Sequence, residues 1–248
     1  MTDSKEQEKA RYEKRAKSNL DLNILDSKNR DEDYLKPPLD FYNKKISAMR
    51  GNLKVLELGA GMGENTRIIL EKGFDLVATD ISLSSLEVLK KRYANFSNLE
   101  IKESDIESLP FKEEMFDMVC SAGVLSYGDP DKIRMEIFRV LKKGGTYIAL
   151  DSLNHNPIYK FNRYIHYLKK ERSISTLERM PTLSTLDSYK NLFGTIDVVY
   201  FGSVVWAAPL FTKILGKKLF TSLSKRLDIL FGVKKSAFKF VMVVKKLQ

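Results

Sequence analysis

Residues 54–63 read KVLELGAGMG, and this stretch decides the fold of the chain. Its first five residues predict a short β-strand, and the glycines that follow predict a tight turn into a helix that reaches Lys72. Gly73 stands where a helix C-terminal cap falls. A glycine-rich turn between a strand and a helix lets a ligand approach the backbone beside the positive end of the helix dipole. The stretch therefore predicts a ligand site at the first strand–helix turn.

Strand-like and helix-like segments alternate on both sides of this turn. Because strands separated by helices pair in parallel through right-handed crossovers, the chain predicts an α/β fold with a doubly wound, Rossmann-like sheet and helices on both faces. The predicted strands after the first are 75–79, 99–102, 116–122, 146–150, 196–202 and 237–244. The predicted helices are one capped by Ser82, then 129–143 stopped by Gly144-Gly145, 157–170, 183–192 and 206–231. Residues 1–35 predict one or two helices that end at Pro37-Pro38.

The composition is that of a globular protein with a basic C-terminal end. The chain has 248 residues, 42 Lys and Arg against 32 Asp and Glu, a net charge of +10 and one cysteine. One unpaired cysteine excludes a disulfide scaffold, and the charged N-terminus lacks the apolar run of a secretory signal. No apolar run is long enough to span a membrane, so we expect a cytoplasmic protein. Residues 205–248 hold ten basic residues and one acid, which argues against a nucleic-acid surface along the whole chain.

Acidic residues near the strand ends indicate what the glycine turn binds. Glu57 stands two residues before Gly59, where a carboxylate repels a pyrophosphate and attracts a sulfonium or an ammonium group. The glycine spacing is also one residue tighter than that of the dinucleotide fingerprint. Asp80 ends the second strand, where an acid accepts hydrogen bonds from ribose hydroxyls. Asp105 follows the third strand, where it can receive an adenine amino group, so the turn predicts a site for a cationic nucleoside.

Five motifs in this order resemble the core of the class I S-adenosylmethionine-dependent methyltransferases, of the type 11 kind. They are Glu57–Gly63, Asp80, Asp105-Ile106, the run 109–119, and Arg139–Gly145. The resemblance implies a seven-stranded, mostly parallel sheet of order 3-2-1-4-5-7-6, with S-adenosylmethionine as cofactor and S-adenosylhomocysteine as product. The cofactor-binding residues that it implies are Glu57, Gly59, Ala60, Gly61, Gly63, Asp80, Ile81, Asp105, Ile106 and Ser121. Simpler interpretations stay open at this point: purely structural glycines, Asp80 as a helix cap and Asp105 as a solvated loop acid.

Methyl transfer to an alcohol requires a base that removes the proton of the acceptor. Of the two histidines, His155 follows the fifth strand at the rim of the predicted site, and we expect it to be the base unless it only caps its loop. Asp151 and Tyr127 are weaker candidates. His166 falls inside a predicted helix, where packing explains it. No Cys/His cluster suggests a metal, which argues against a metal-dependent O-methyltransferase without excluding ligation by carboxylates alone.

Segments outside the core are expected to select the acceptor. We assign residues 1–50 to an N-terminal helical cap segment and 51–248 to the methyltransferase domain, with substrate-side insertions at 152–192 and 203–236. The first insertion is rich in polar and aromatic residues, a mixture typical of sugar sites. It is similar in general look to methyltransferases of bacterial surface-polysaccharide biosynthesis. We therefore expect methyl transfer to a hydroxyl of a saccharide or another small hydroxylated metabolite.

The tail, residues 205–232, leaves other interpretations open. Leu219, Leu223 and Leu227 recur at helical spacing beside lysines, as in a basic helix that lies on the inner face of a membrane. The same stripe is explained by packing on the sheet edge or by a homodimer contact. A membrane contact suggests instead a C-methyltransferase of a prenylated quinone precursor or lipid-linked acceptor. A non-catalytic nucleoside-binding protein is the third hypothesis, and nucleic acid is not expected as a partner because no RNA-binding module is present.

Overall fold

A computed structural model describes residues 2–21, 36–168, 173–231 and 234–247. Seven strands form one sheet in the order β3-β2-β1-β4-β5-β7-β6. The strands are β1 Lys54–Leu58, β2 Asp75–Asp80, β3 Leu99–Glu103, β4 Phe116–Ala122, β5 Leu141–Ser152, β6 Gly194–Phe201 and β7 Lys239–Lys246. Strands β1 to β5 pair in parallel, whereas β7 pairs antiparallel with both β5 and β6. The predicted fold class and strand order are confirmed.

Helices cover both faces of this sheet. In chain order they are α1 Thr2–Asp21, α2 Lys36–Ala48, α3 Arg67–Glu71, α4 Leu83–Arg92, α5 Pro130–Val140, α6 Pro157–Leu168, α7 Ile174–Glu178, α8 Leu183–Phe193, α9 Ala208–Leu215 and α10 Lys217–Phe231. On one face, α5 and α8 bury Ile137 and Phe193 against the strands. On the other face, α2, α3 and α4 bury Tyr42, Ile69 and Leu89. The central strands are apolar on both sides and are covered by helices on both faces, as a doubly wound sheet requires.

The N-terminal region differs from its expected outline. Helix α1 lies within the predicted helical region 1–35, but residues 22–35 lie outside the described residues, so the predicted helix end before the prolines is not tested. Pro37 and Pro38 lie in the first turn of α2, where a proline loses no intrahelical hydrogen bond. Tyr42 and Ile46 of this helix are fully buried against the sheet. Helix α2 is thus part of the layer that covers the sheet.

Two predicted helices differ from the structure, and one helix was not predicted. The helix predicted over 129–143 ends at Val140, because Leu141 is already extended and β5 runs through both glycines. The helix predicted over 206–231 is divided by Gly216, whose φ of 76° is left-handed, into α9 and α10 behind a short 3-10 helix, Val205–Ala207. Helix α7 was not predicted at all.

In the part of the chain that is described, no helix combines the length and the hydrophobicity that crossing a membrane needs.

Candidate active site

The turn after β1 places backbone without side chains at the carboxyl ends of the parallel strands. The Ala60 amide donates to the Thr79 carbonyl at 2.8 Å, and the Gly63 amide donates to the Ala60 carbonyl at 2.9 Å. Gly59 has a φ of +62°, and a Cβ at this position would stand 2.1 Å from Cγ1 of Val124. Only glycine meets both conditions without strain. The turn is therefore held open for a ligand by its own hydrogen bonds and by the lack of a side chain.

Asp80 joins this turn to the start of α4. Its Oδ2 accepts from the Gly61 amide at 2.9 Å, and its Oδ1 accepts from the Ser82 amide at 2.9 Å. Burial raises the pKa of the Asp80 carboxyl, although these backbone donors act in the opposite direction. Each carboxylate oxygen has a second lone pair, so Asp80 can still accept from a ligand. Ser82 caps α4 as predicted, since its side chain accepts from the Ser85 amide at 3.2 Å.

Asp105 lies at the end of β3 and is already engaged in an ion pair. Its Oδ1 accepts from the Glu107 amide at 2.9 Å, and its Oδ2 lies 2.7 Å from Nζ of Lys5. The same ammonium group lies 2.9 Å from a carboxylate oxygen of Glu107. Ile106 is half-buried and packs on the core. An adenine amino group at Asp105 would therefore meet a carboxylate that Lys5 of the N-terminal helix shares.

Helix α1 closes the open side of the site. Tyr12 and Tyr127 place their hydroxyl oxygens 2.8 Å apart, and their rings meet edge to face at 5.9 Å. Ala16 is fully buried against Met62 of the glycine turn. Glu13 accepts hydrogen bonds from the backbone and side chain of Ser84 at the start of α4. The N-terminal helix is thus attached to three of the elements that surround the turn.

A cavity of about 190 Å³ lies between α1 and the strand ends. The predicted residues that line it are Gly59, Ala60, Gly61, Asp80, Ile81, Asp105, Ile106 and Tyr127. The cavity is also lined by residues that were not named as site residues, among them Lys5, Glu8, Lys9, Tyr12 and Arg15 of α1, and Glu64 and Asn65 after the turn. The α1 residues recur every three or four positions, which is the spacing of one helix face. This spacing is visible in the sequence and could have identified these α1 residues as one face of a helix.

Three predicted cofactor-binding residues lie outside this cavity lining. The side chain of Glu57 is buried beneath the turn, where Thr66 Oγ1 donates to its Oε2 at 2.7 Å. Burial, together with the nearby charges of Glu64 and Asp80, raises the pKa of Glu57 to about 7 although Thr66 lowers it. The expected position of Glu57 beside the cleft is therefore not what the structure shows, because Glu57 lies on the same side of β1 as Val55, which is packed under α2, α3 and α4.

Gly63 and Ser121 support the site from below. A Cβ on Gly63 would stand 2.6 Å from the ring of Tyr93, whose hydroxyl donates to the Gly63 carbonyl at 2.7 Å. Ser121 is fully buried, with its hydroxyl 2.8 Å from that of Tyr147. The cavity wall next to it is formed by residues 122–124 instead. Both residues hold the turn and β4 in place rather than face the cavity.

The structure brings only one of the three predicted catalytic residues into the cavity. Tyr127 lines it, and burial raises the pKa of its phenol well above the usual value. Asp151 is buried in β5 and accepts from the amides of Leu125 at 3.0 Å and Ser152 at 2.7 Å. It thereby anchors the loop that carries Tyr127. His155 is half-buried in the loop after β5 and is not part of the cavity lining.

Glu64 carries negative charge into the cavity where Glu57 was expected to do so. Its half-buried carboxylate lines the cavity, and within the described ranges it forms no hydrogen bond or ion pair. A side chain of this kind suits a cationic ligand group. Across the same described ranges there is no group of three or more Asp, Glu, His or Cys residues that is arranged to hold a metal ion.

Comparisons with known proteins agree with this geometry. Residues 56–149 match the family model described as a methyltransferase domain. A demethylmenaquinone methyltransferase from Clavibacter sepedonicus is 35% identical over 99 residues, which cover 40% of each chain. The ubiquinone/menaquinone biosynthesis C-methyltransferase UbiE from Shewanella oneidensis is 30% identical over 165 residues, covering 62% of this chain and 63% of the relative. The solved structure of the YcgJ protein from Bacillus subtilis is similar with a TM-score of 0.58 at 19% identity, covering 85% of this chain and 98% of that one.

The sheet order and the match over residues 56–149 are those of a class I S-adenosylmethionine-dependent methyltransferase domain. The predicted class and cofactor are confirmed at this level. The residues present fit the cofactor: Gly59 has no side chain to obstruct the turn, Asp80 offers acceptor lone pairs, and Glu64 lines the cavity with a carboxylate. The chain spans about half the length of the curated relatives it matches, 40% and 63% of the two named above.

Proposed function

We propose that this chain is an S-adenosylmethionine-dependent C-methyltransferase whose acceptor is an electron-rich phenolic ring, as in a prenylated quinol. The observation that carries the proposal is the similarity, at 30 to 35% identity, to relatives named as C-methyltransferases of quinone biosynthesis and demethylmenaquinone methyltransferases. When bound, S-adenosylmethionine supplies an electrophilic methyl group and leaves as S-adenosylhomocysteine. In this proposal Asp80 binds the ribose hydroxyls, and Glu64 attracts the cationic end of the cofactor.

The side chains in the cavity support a carbon acceptor over an alcohol. An alcohol needs a base with a pKa near neutrality, but the raised pKa of Tyr127 makes it a poor base at neutral pH. Glu8, which also lines the cavity, is paired with Arg11 at 2.5 Å and accepts from Thr176 at 3.3 Å. A phenol is acidic enough to activate its ring carbon without a strong base. The rings of Tyr12 and Tyr127 offer it flat apolar contacts.

Two polar residues of the insertion 152–192, Asn154 and Asn156, form hydrogen bonds within the protein. Asn154 donates to the Leu177 carbonyl at 3.3 Å and accepts from Arg163 at 3.0 Å. Asn156 caps the amide of Ile158 at 2.8 Å and donates to Ser236 at 3.2 Å. Side chains with these partners are less available to a sugar. This favours the phenolic acceptor over the saccharide that the composition of the insertion suggests.

O-methylation of a saccharide is the second candidate, and the position of His155 favours it. This histidine lies in the loop after β5, at the same edge of the sheet as the carboxyl ends of β1 and β4. In that proposal His155 removes the proton of the hydroxyl as the methyl group is transferred. The similarity to methyltransferases of surface-polysaccharide biosynthesis stays a prediction.

One experiment separates the candidates. The full chain is incubated with methyl-labelled S-adenosylmethionine and either a reduced prenylated naphthoquinone or a mixture of nucleotide sugars, and the product linkage is determined by NMR. We expect a new carbon–carbon bond in the quinol, full activity in His155→Ala and none in Asp80→Ala. Methyl ethers of sugars, lost in His155→Ala, would establish the second candidate instead. Tight binding of S-adenosylhomocysteine without transfer to either acceptor would indicate a non-catalytic nucleoside-binding protein.

A further inference from the structure

Helices α9 and α10 place apolar side chains on the face that points away from the protein. In α10, Phe220 and Ser224 are buried, whereas Leu219 is 51% exposed and Leu223 is also exposed. In α9, Ile214 is 73% exposed. In α10 the exposed leucines therefore lie outside the face that is buried against the protein. Packing against the rest of the chain therefore accounts for only part of their apolar surface.

The exposed apolar residues of this region form a set that we call the outer tail face. Its members are Trp206, Phe211, Ile214, Leu215, Leu219 and Leu223, all exposed. Phe211, Ile214 and Leu215 follow one another at spacings of three and one, which puts them on one side of α9. Single exposed apolar residues are ordinary, but a group of six with two aromatic rings marks an interaction surface.

Exposed basic residues lie on the same two helices as this face, and the acid of the region is engaged elsewhere. Lys213, Lys218 and Arg226 are exposed on the same two helices. Asp228 is the single acidic residue among positions 205–248. Its two carboxylate oxygens accept from the amides of Gly202 at 2.7 Å and Ser203 at 2.9 Å, on the inner side of α10. No carboxylate of the tail therefore offsets the three cations.

We propose that the outer tail face docks the protein on the surface of an anionic lipid bilayer. Apolar side chains of an interfacial helix enter the boundary between headgroups and acyl chains, while lysines and arginines reach anionic headgroups. Trp206 is of the residue type that prefers this boundary. The six exposed apolar residues and the three exposed basic residues named above supply both kinds of side chain that this docking requires.

Other occupants fit this surface less well. A second copy of the chain, related by a two-fold axis, would bring Lys213, Lys218 and Arg226 against the same cations of its partner, where like charges repel. A nucleic acid would neutralise the cations but would leave Ile214 and Leu219 without apolar contacts. An anionic bilayer satisfies both features of the face at once.

The test is vesicle binding by the full chain, without cofactor or acceptor, so that its failure is separate from failure of methyl transfer. Sedimentation is measured with vesicles of phosphatidylcholine alone and with one-third phosphatidylglycerol. The apolar variant is Ile214→Ser with Leu219→Ser, and its control is Met135→Ser, since Met135 on α5 is about as exposed as Leu219. The charge variant is Lys213→Glu with Lys218→Glu. Its control, Lys90→Glu with Lys91→Glu on α4, changes the net charge by the same amount.

We expect the chain to bind the anionic vesicles and to bind neutral ones at least tenfold more weakly. The charge variant should lose about thirtyfold or more in affinity, because each basic residue near an anionic surface contributes about a factor of five. The apolar variant should lose at least tenfold, and both controls should bind like the parent chain, with circular dichroism and melting temperature unchanged. Absence of binding, equal binding by the two variants and the controls, or a dimer in the parent chain that Ile214→Ser dissociates would each overturn the proposal.

Discussion

Replacing Gly59 by alanine tests how tightly the turn after β1 is built. Two costs add at this position. The left-handed φ of +62° costs an alanine about 1–2 kcal/mol. The new Cβ would stand 2.1 Å from Cγ1 of Val124, and such overpacking costs about 1–3 kcal/mol. We therefore expect Gly59→Ala to lower the free energy of unfolding by about 2–5 kcal/mol.

A matched control separates the two costs. Gly73 has a similar φ of +73°, and a Cβ there meets nothing within 4 Å, so Gly73→Ala should lose only the backbone cost of about 1–2 kcal/mol. Adding Val124→Ala removes the atom that clashes and should restore part of the stability of Gly59→Ala. The assay is urea denaturation followed by circular dichroism, with calorimetric titration of S-adenosylhomocysteine. Equal stability losses in Gly59→Ala and Gly73→Ala would refute the steric part of this reasoning. Undiminished S-adenosylhomocysteine affinity in Gly59→Ala would refute the role of the turn in cofactor binding.

Three other perturbations probe the site. Burial raises the pKa of Glu57 from 4.5 to about 7, so the native state keeps its proton longer than the unfolded chain does. The free energy of unfolding should therefore fall by about 3 kcal/mol as the pH rises from about 4.5 to 7, and urea denaturation should show no such fall in Glu57→Gln. Asp80→Ala removes the acceptor of the Gly61 and Ser82 amides, and calorimetry should show at least about a tenfold loss of S-adenosylhomocysteine affinity; unchanged affinity would exclude the ribose role of Asp80. Tyr127→Phe removes the hydroxyl contact with Tyr12, worth about 1 kcal/mol, and amide hydrogen exchange in α1 should become severalfold faster; unchanged protection would show that this pair does not hold the helix.

The fold and the glycine turn were open to prediction because they depend on local patterns. Apolar runs of five to seven residues and the glycines between them mark β1, β2 and β4 within a residue or two. The resemblance to a methyltransferase core then implied the remaining strand order, including the antiparallel end of the sheet. The ends of helices and strands were harder to predict where a segment is compatible with two conformations. The stretch 141–145 is compatible with a helix until the pairing of Leu141 with Phe116 of β4 extends the chain at its start.

The catalytic candidates illustrate the limit of local reasoning. His155 and Asp151 both follow or end β5, so their place in the chain alone puts them near the site. In the folded chain Asp151 turns inward to two amides, and His155 is not part of the cavity lining. The direction of a side chain depends on the neighbours that supply its hydrogen bonds, and those neighbours come from distant parts of the chain.

The sequence by itself determined the doubly wound sheet, the glycine turn and the acids at the strand ends, because each is a short-range pattern of hydrophobicity, backbone freedom or charge. Tertiary structure alone decided that Glu57 lies under the turn, that Glu64 faces the cavity, and that α1 covers it through the pairs Lys5–Asp105 and Tyr12–Tyr127. Both pairs join residues about 100 positions or more apart. No local pattern specifies such a contact, since it forms only when packing of the whole domain brings the two segments together.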